Sequence, residues 1–161
     1  MLSLPTLPTT LQANLHALHE RITKAARAAG RDPSSVRLLA VSKAFPATVI
    51  EEAARAGQRA FGENYVQEAL AKMDELANSA ERPLEWHFIG PIQSNKTRAI
   101  AQAFDWVQSV DRLKIAERLA EQRPANLPLL NVLLQVNVSG EASKAGVAPD
   151  QLSQLAAAVA Q

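Results

Sequence analysis

No cysteine occurs in the chain, which excludes disulfides and thiolate metal sites and is compatible with a reducing compartment. Glycine-rich phosphate fingerprints are missing too, since there is neither G-x-G-x-x-G nor a P-loop. Neither sign of charge dominates. Seventeen Lys and Arg stand against sixteen Asp and Glu, a formal net charge of +1 with no basic run, so nothing favours nucleic acid. No apolar run is long enough for a bilayer, because "LPLLNVLLQV" is interrupted by Asn131 and Gln135. The opening "MLSLPTLPTT" has no basic n-region and contains two prolines, so it does not read as a signal peptide. These absences describe a cytoplasmic protein that binds neither nucleic acid nor membrane.

What is there fits one domain: 161 residues, 47% hydrophobic and 20% charged, enough to bury a core. Leu11, Leu15, Leu18, Ile22, Ala25, Ala26 and Ala29 repeat at helical spacing. Thr9 or Thr10 can cap that helix, and Gly30 fits the position just past its end. From residue 36 strands and helices alternate. "VRLLAVSK" (36–43), "RAFGEN" (59–64), "LEWHFIG" (84–90), "DWVQSVD" (105–111) and "LPLLNVLLQVNVS" (127–139) read as strands. Helices are expected over about 46–57, 65–76, 94–104 with Ser94 as N-cap, 112–123 with Asp111 as cap, and from Pro149-Asp150.

Five strands separated by helices imply a parallel sheet. Two architectures fit, a five-stranded doubly wound sheet and five of the eight units of an (α/β) barrel. Two features favour the barrel. The chain stops at "QLAAAVAQ", inside a helical pattern, and polar residues stand at the carboxyl end of every strand rather than at one switch point. Strand alternation groups Leu39, Val41 and Lys43; Ala60, Gly62 and Asn64; His87 and Ile89; Val107, Ser109 and Asp111; and Leu133, Gln135 and Asn137. If these groups face inward, Lys43, Asn64, His87, Ser109 and Asn137 converge at the carboxyl mouth, where parallel-sheet proteins place ligands.

Lys43 closes an apolar strand. A partly desolvated amine there sheds its proton more readily and can condense with an aldehyde or ketone to a Schiff base; alternatively the side chain snorkels to solvent. Each neighbour has two readings as well. Asn64 orients a ligand or caps the helix behind it, and His87 stacks on a ligand ring or is a satisfied core histidine. "SNK" (94–96) binds an anion or merely caps a helix. Lys144 lies in a polar loop and reads as solvated. A Schiff-base aldolase would need a carboxylate beside the lysine, and only Asp111 is placed for that. A structural α/β domain with an inert lysine is the remaining reading.

"LLAVSK", "AGQRAFGENYVQEA", "LEWHFIGPIQSNK", "VQSVDR" and "NVLLQVNVS…SKAGV" resemble the pyridoxal phosphate homeostasis proteins over residues 12–161. The resemblance implies a pyridoxal-phosphate-binding (β/α)8 TIM-type barrel like the N-terminal domain of alanine racemase. Residues 1–161 would form one such domain, holding an N-terminal helix and the first five βα units, C-terminally incomplete relative to the family. It implies pyridoxal 5′-phosphate as cofactor, in a Schiff base on Lys43, with Asn64 and His87 near it; Ser109 and Asn137 are expected to join them as cofactor-binding positions from their place at the strand ends. It also implies no established catalysis, PLP-dependent apo-enzymes as partners, and a monomer when complete. A PLP-dependent amino-acid racemase is the alternative, but such an enzyme needs a second base, and the only tyrosine is Tyr65. Two departures stand out. Phe45 occupies a position where members commonly carry a basic residue. The family also continues for about 70 residues more, three βα units by the barrel count, and those hold the cofactor's phosphate.

Overall fold

The computed structural model describes residues 10–77 and 83–160. Helix α1 (Leu11–Ala28) opens on Thr10, whose hydroxyl accepts from the Ala13 amide at 3.2 Å. Gly30, at φ +67°, follows its end. Thr9, the other candidate cap, lies outside the described residues. The apolar stripe of α1 lies on α2 (Ala47–Arg55), with Leu11 and Leu15 reaching the core.

Beyond a 3₁₀ turn at Pro33–Ser35, five strands alternate with helices: β1 (Ala40–Val41), α2, β2 (Ala60–Glu63), α3 (Val66–Leu76), β3 (Glu85–Phe88), α4 (Thr97–Ala103), β4 (Trp106–Val110), α5 (Leu113–Gln122) and β5 (Asn131–Leu134). A second 3₁₀ turn, Pro149–Gln151, leads into α6 (Leu152–Val159). All four pairings are parallel and the spatial order is β1-β2-β3-β4-β5. A flavodoxin-type sheet would place its second strand outside the first. Strictly sequential order is that of a barrel wall, which resolves the two architectures.

The sheet has one dry face. Phe61, Trp86, Phe88, Val107 and Val110 bury against Ile50 and Ala53 of α2, Ala69 and Leu76 of α3, Ile100 and Ala101 of α4, and Ile115 and Leu119 of α5. Phe88 meets Phe104 edge-on, with centroids 5.3 Å apart, an arrangement the aromatic quadrupole favours. The opposite face is open, with Val41 48% and Leu133 46% exposed.

Local expectations differ at several points, among them β5, which covers only Asn131–Leu134 of the expected 127–139. β1 is two residues long rather than eight, and the Gln58 side chain binds the Leu38 and Ala60 carbonyls beside it. Ser94 and Asp111 do not cap: α4 starts behind Lys96 and α5 behind Arg112 without side-chain caps, and Asp111 pairs with Arg112 instead. In β4 the alternation breaks. Val107 and Val110 oppose Val132 and Leu134, three residues against two, and both valines are fully buried. This bulge overturns the expected shared face of Val107, Ser109 and Asp111, because Val107 belongs to the helix-facing core.

Candidate functional site

At the carboxyl end of the sheet, Ser42 N donates to Gly62 O at 2.9 Å, tying the end of β1 to β2. The chain then turns: Phe45 N donates to Ser42 O (3.1 Å), enclosing Lys43 and Ala44. Lys43 therefore sits in this turn, just past the strand. It is exposed, so the expected partial desolvation is not found; the open face of the sheet leaves the side chain in water. No hydrogen bond or ion pair engages its amine among the described residues. Ala44 adopts φ +65°, a left-handed conformation that costs an L-residue about 1–2 kcal/mol.

Asn64 stands as far past Gly62 as Lys43 does past Val41, and Val41 and Gly62 are paired. Its capping alternative drops out, since α3 begins behind Tyr65 with no side-chain cap. Its Oδ1 is buried and has no hydrogen-bond partner, alone among the buried side-chain N and O atoms of the described residues. A buried acceptor without a donor costs roughly 1–3 kcal/mol. Gly90 packs on the Asn64 backbone; a Cβ there would collide with the Asn64 carbonyl and lie 2.8 Å from its Cα, so only glycine fits. The Gly90 carbonyl in turn accepts from Ser109 Oγ at 2.6 Å. The ends of β2, β3 and β4 are thereby drawn together.

His87 lies deeper. It pairs in register with Gly62, two residues short of Asn64. Its Nε2 donates to Glu85 Oε1 (2.7 Å), its Nδ1 accepts from Gln108 Nε2 (2.9 Å), and its ring stacks on Trp106 at 5.5 Å. Arg37 also binds Glu85, at 2.7 Å. Burial pushes the Glu85 carboxyl upward, but the His87 hydrogen bond and the Arg37 charge outweigh it and hold the pKa below the ordinary glutamate value. Asn137 is occupied elsewhere. Its Nδ2 donates to the Glu141 and Lys144 carbonyls and its Oδ1 accepts from Gly140 N, which folds the 139–146 loop. Lys144 pairs with Glu141 in that loop.

The structure thus brings Lys43, Asn64 and Ser109 to one end of the sheet, sets His87 beneath them and commits Asn137 to its own loop. Sequence reading missed the support behind Lys43. Glu63 is fully buried and accepts from Ser42 Oγ (2.6 Å) and from Lys72 (2.8 and 3.0 Å). Two signals were available: an acid on the apolar face of β2, and a lysine in the apolar stripe Val66, Ala69, Lys72, Leu76 of α3. Among the described residues no cluster of His, Cys, Asp and Glu could hold a metal, and no helix is long and apolar enough to cross a membrane.

Residues 13–161 match the family model described as alanine racemase, N-terminal domain. The pyridoxal phosphate homeostasis protein of Pseudomonas aeruginosa is 65% identical over 153 residues, covering 95% of this chain and 65% of that protein. Its Escherichia coli counterpart is 54% identical over 148 residues, covering 92% of this chain and 63% of that protein. The chain thus spans somewhat under two thirds of these curated relatives. Among solved structures, PipY of Synechococcus elongatus with PLP bound superposes with a TM-score of 0.67 at 42% identity, covering 83% of this chain and 63% of that one.

Proposed function

The chain belongs to the alanine racemase N-terminal domain family, and on that footing we propose that it binds pyridoxal 5′-phosphate in a Schiff base on Lys43. Its role on this reading is homeostasis of the cofactor, without a reaction of its own. The relatives named for that role and the PLP-bound PipY support it. The observation that carries it lies within this chain: the buried Oδ1 of Asn64, at the same end of the sheet as Lys43, and neither it nor the Lys43 amine has a partner among the described residues. Native structures rarely leave such an atom unsatisfied. The ring hydroxyl of pyridoxal phosphate, next to its aldehyde, can serve as its partner.

In this reading Lys43 would hold the cofactor: its neutral amine would replace the aldehyde oxygen, which would leave as water with the amine's two protons. Asn64 accepts or donates a hydrogen bond at the ligand. Ser109, His87 and Asn137 contribute by shaping the strand ends, since each already has protein partners. When bound, the cofactor would supply an electron sink, but two-base racemisation with it needs a second base held against a substrate. Tyr65 is 61% exposed, and the His87 ring is engaged at both nitrogens. Carriage of the cofactor to apo-enzymes suits the site better than racemisation.

Mixing the protein with pyridoxal phosphate and reducing with borohydride should place the pyridoxyl mass on the Lys43 peptide. Solvent deuterium entering the α-position of alanine, and lost in Lys43→Ala, would instead establish the racemase.

A further inference from the structure

Lys72 is a buried cation to which the cofactor reading gives no task. Its Nζ donates to Glu63 Oε1 (2.8 Å), Glu63 Oε2 (3.0 Å) and Ser42 O (3.1 Å), which uses all three ammonium protons. Glu63 also accepts from Ser42 Oγ at 2.6 Å. A pair like this is a poor source of stability. Taking the ions out of water costs several kcal/mol each, and apolar side chains of similar volume often serve a core as well or better.

What the pair provides is direction. Ser42 O, which accepts a hydrogen bond from Lys72, also accepts one from the Phe45 amide that closes the turn around Lys43 and Ala44. With Ala44 at φ +65°, the turn is strained, and strain of this kind persists only where the surroundings over-determine it. We infer that Glu63 and Lys72, acting through the carbonyl and hydroxyl of Ser42, are positioning residues that hold Lys43 in its turn for reaction with the ligand aldehyde. The inference rests on Lys43 as the attachment point and adds the device that presents it. It also leads us to expect that Lys72, whose Nζ is held by the Glu63 carboxylate and the Ser42 carbonyl, does not compete for the aldehyde.

The test is the double variant Glu63→Leu/Lys72→Met, which removes both charges at similar volume and leaves neither ion stranded. Parent and variant are titrated with pyridoxal phosphate, reduced with borohydride, and compared for label on the Lys43 peptide. Exchange of the Phe45 amide is followed without ligand, and melting confirms the fold. The expected result is a variant as stable as the parent, with faster Phe45 exchange and labelling of Lys43 weakened about tenfold, the equivalent of ~1.4 kcal/mol of lost orientation. Unchanged labelling in a folded variant overturns the inference and leaves the cofactor reading standing. A parent that takes no label on Lys43 overturns both. If the double variant does not fold, Ser42→Ala decides, because it deletes the hydroxyl's bonds to Glu63 (2.6 Å) and to the Gly62 carbonyl (3.4 Å) and leaves both charges in place. Labelling about fivefold weaker supports the inference, and unchanged labelling overturns it.

Discussion

Lys72 reaches one turn from the helix layer, and Lys43 leaves the same turn into the open. The first has three acceptors and almost no solvent; the second has solvent and, among the described residues, no partner. Lys72 is built into the fold, so its removal should be felt as instability. Lys43 contributes nothing visible to the fold, so its removal should be felt only in chemistry. The same division runs through the whole sheet. One face is closed by Phe61, Trp86 and Phe88 against the helices, and the other ends in side chains with unspent capacity, above all Asn64.

The sharpest way to break this comparison is Lys72→Met alone. It strands the buried Glu63 carboxylate and should destabilise by about 3–5 kcal/mol, measured by urea unfolding. A loss under 1 kcal/mol would mean that water reaches Glu63 and that the two lysines are less different than the geometry shows. Asn64→Ala should behave in the opposite way. Removing an unpaired amide leaves unfolding unchanged or slightly improved, while pyridoxal phosphate titration weakens about fivefold, the loss of roughly one hydrogen bond.

The smallest effect concerns Glu85, which shares its charge with His87 and Arg37 at a partly exposed position. Its pKa is lower in the folded protein than in the unfolded chain, so it stabilises at neutral pH. That contribution fades as pH falls through about 4.3 and then through the lower folded value. Glu85→Gln should cost less than about 1 kcal/mol at pH 7. Thermal melts should show parent and variant converging in acid; a gap that widens there would reverse the sign.

Much of the scaffold was legible because it is written in short-range pattern. Thr10 and Gly30 bracket α1 as their chemistry dictates, and the alternation of strands with helices foreshadowed the parallel pairing. Other features depend on contacts no local pattern encodes. The β4 bulge was invisible to alternation, since Val107 and Val110 are both buried only because β5 spends two residues where β4 spends three. β1 was overestimated because Leu38 and Leu39 have strand character, whereas the Leu38 carbonyl is met by Gln58 rather than by a ladder. At the site, Lys43 could be singled out as a charge closing an apolar strand. Its support left only indirect signs, an acid on the apolar face of β2 and a lysine in the apolar stripe of α3, because the pairing of Glu63 with Lys72 forms only when α3 packs on the sheet.

The central claim is that one amine is presented and its neighbour is withheld. Borohydride reduction at limiting pyridoxal phosphate, followed by peptide mass analysis, tests it most directly. The account predicts a single pyridoxyl group on the Lys43 peptide, none on the Lys72 peptide, and background labelling in a Lys43→Ala variant that melts with the parent. Label spread evenly over surface lysines, or persisting undiminished in Lys43→Ala, would contradict it.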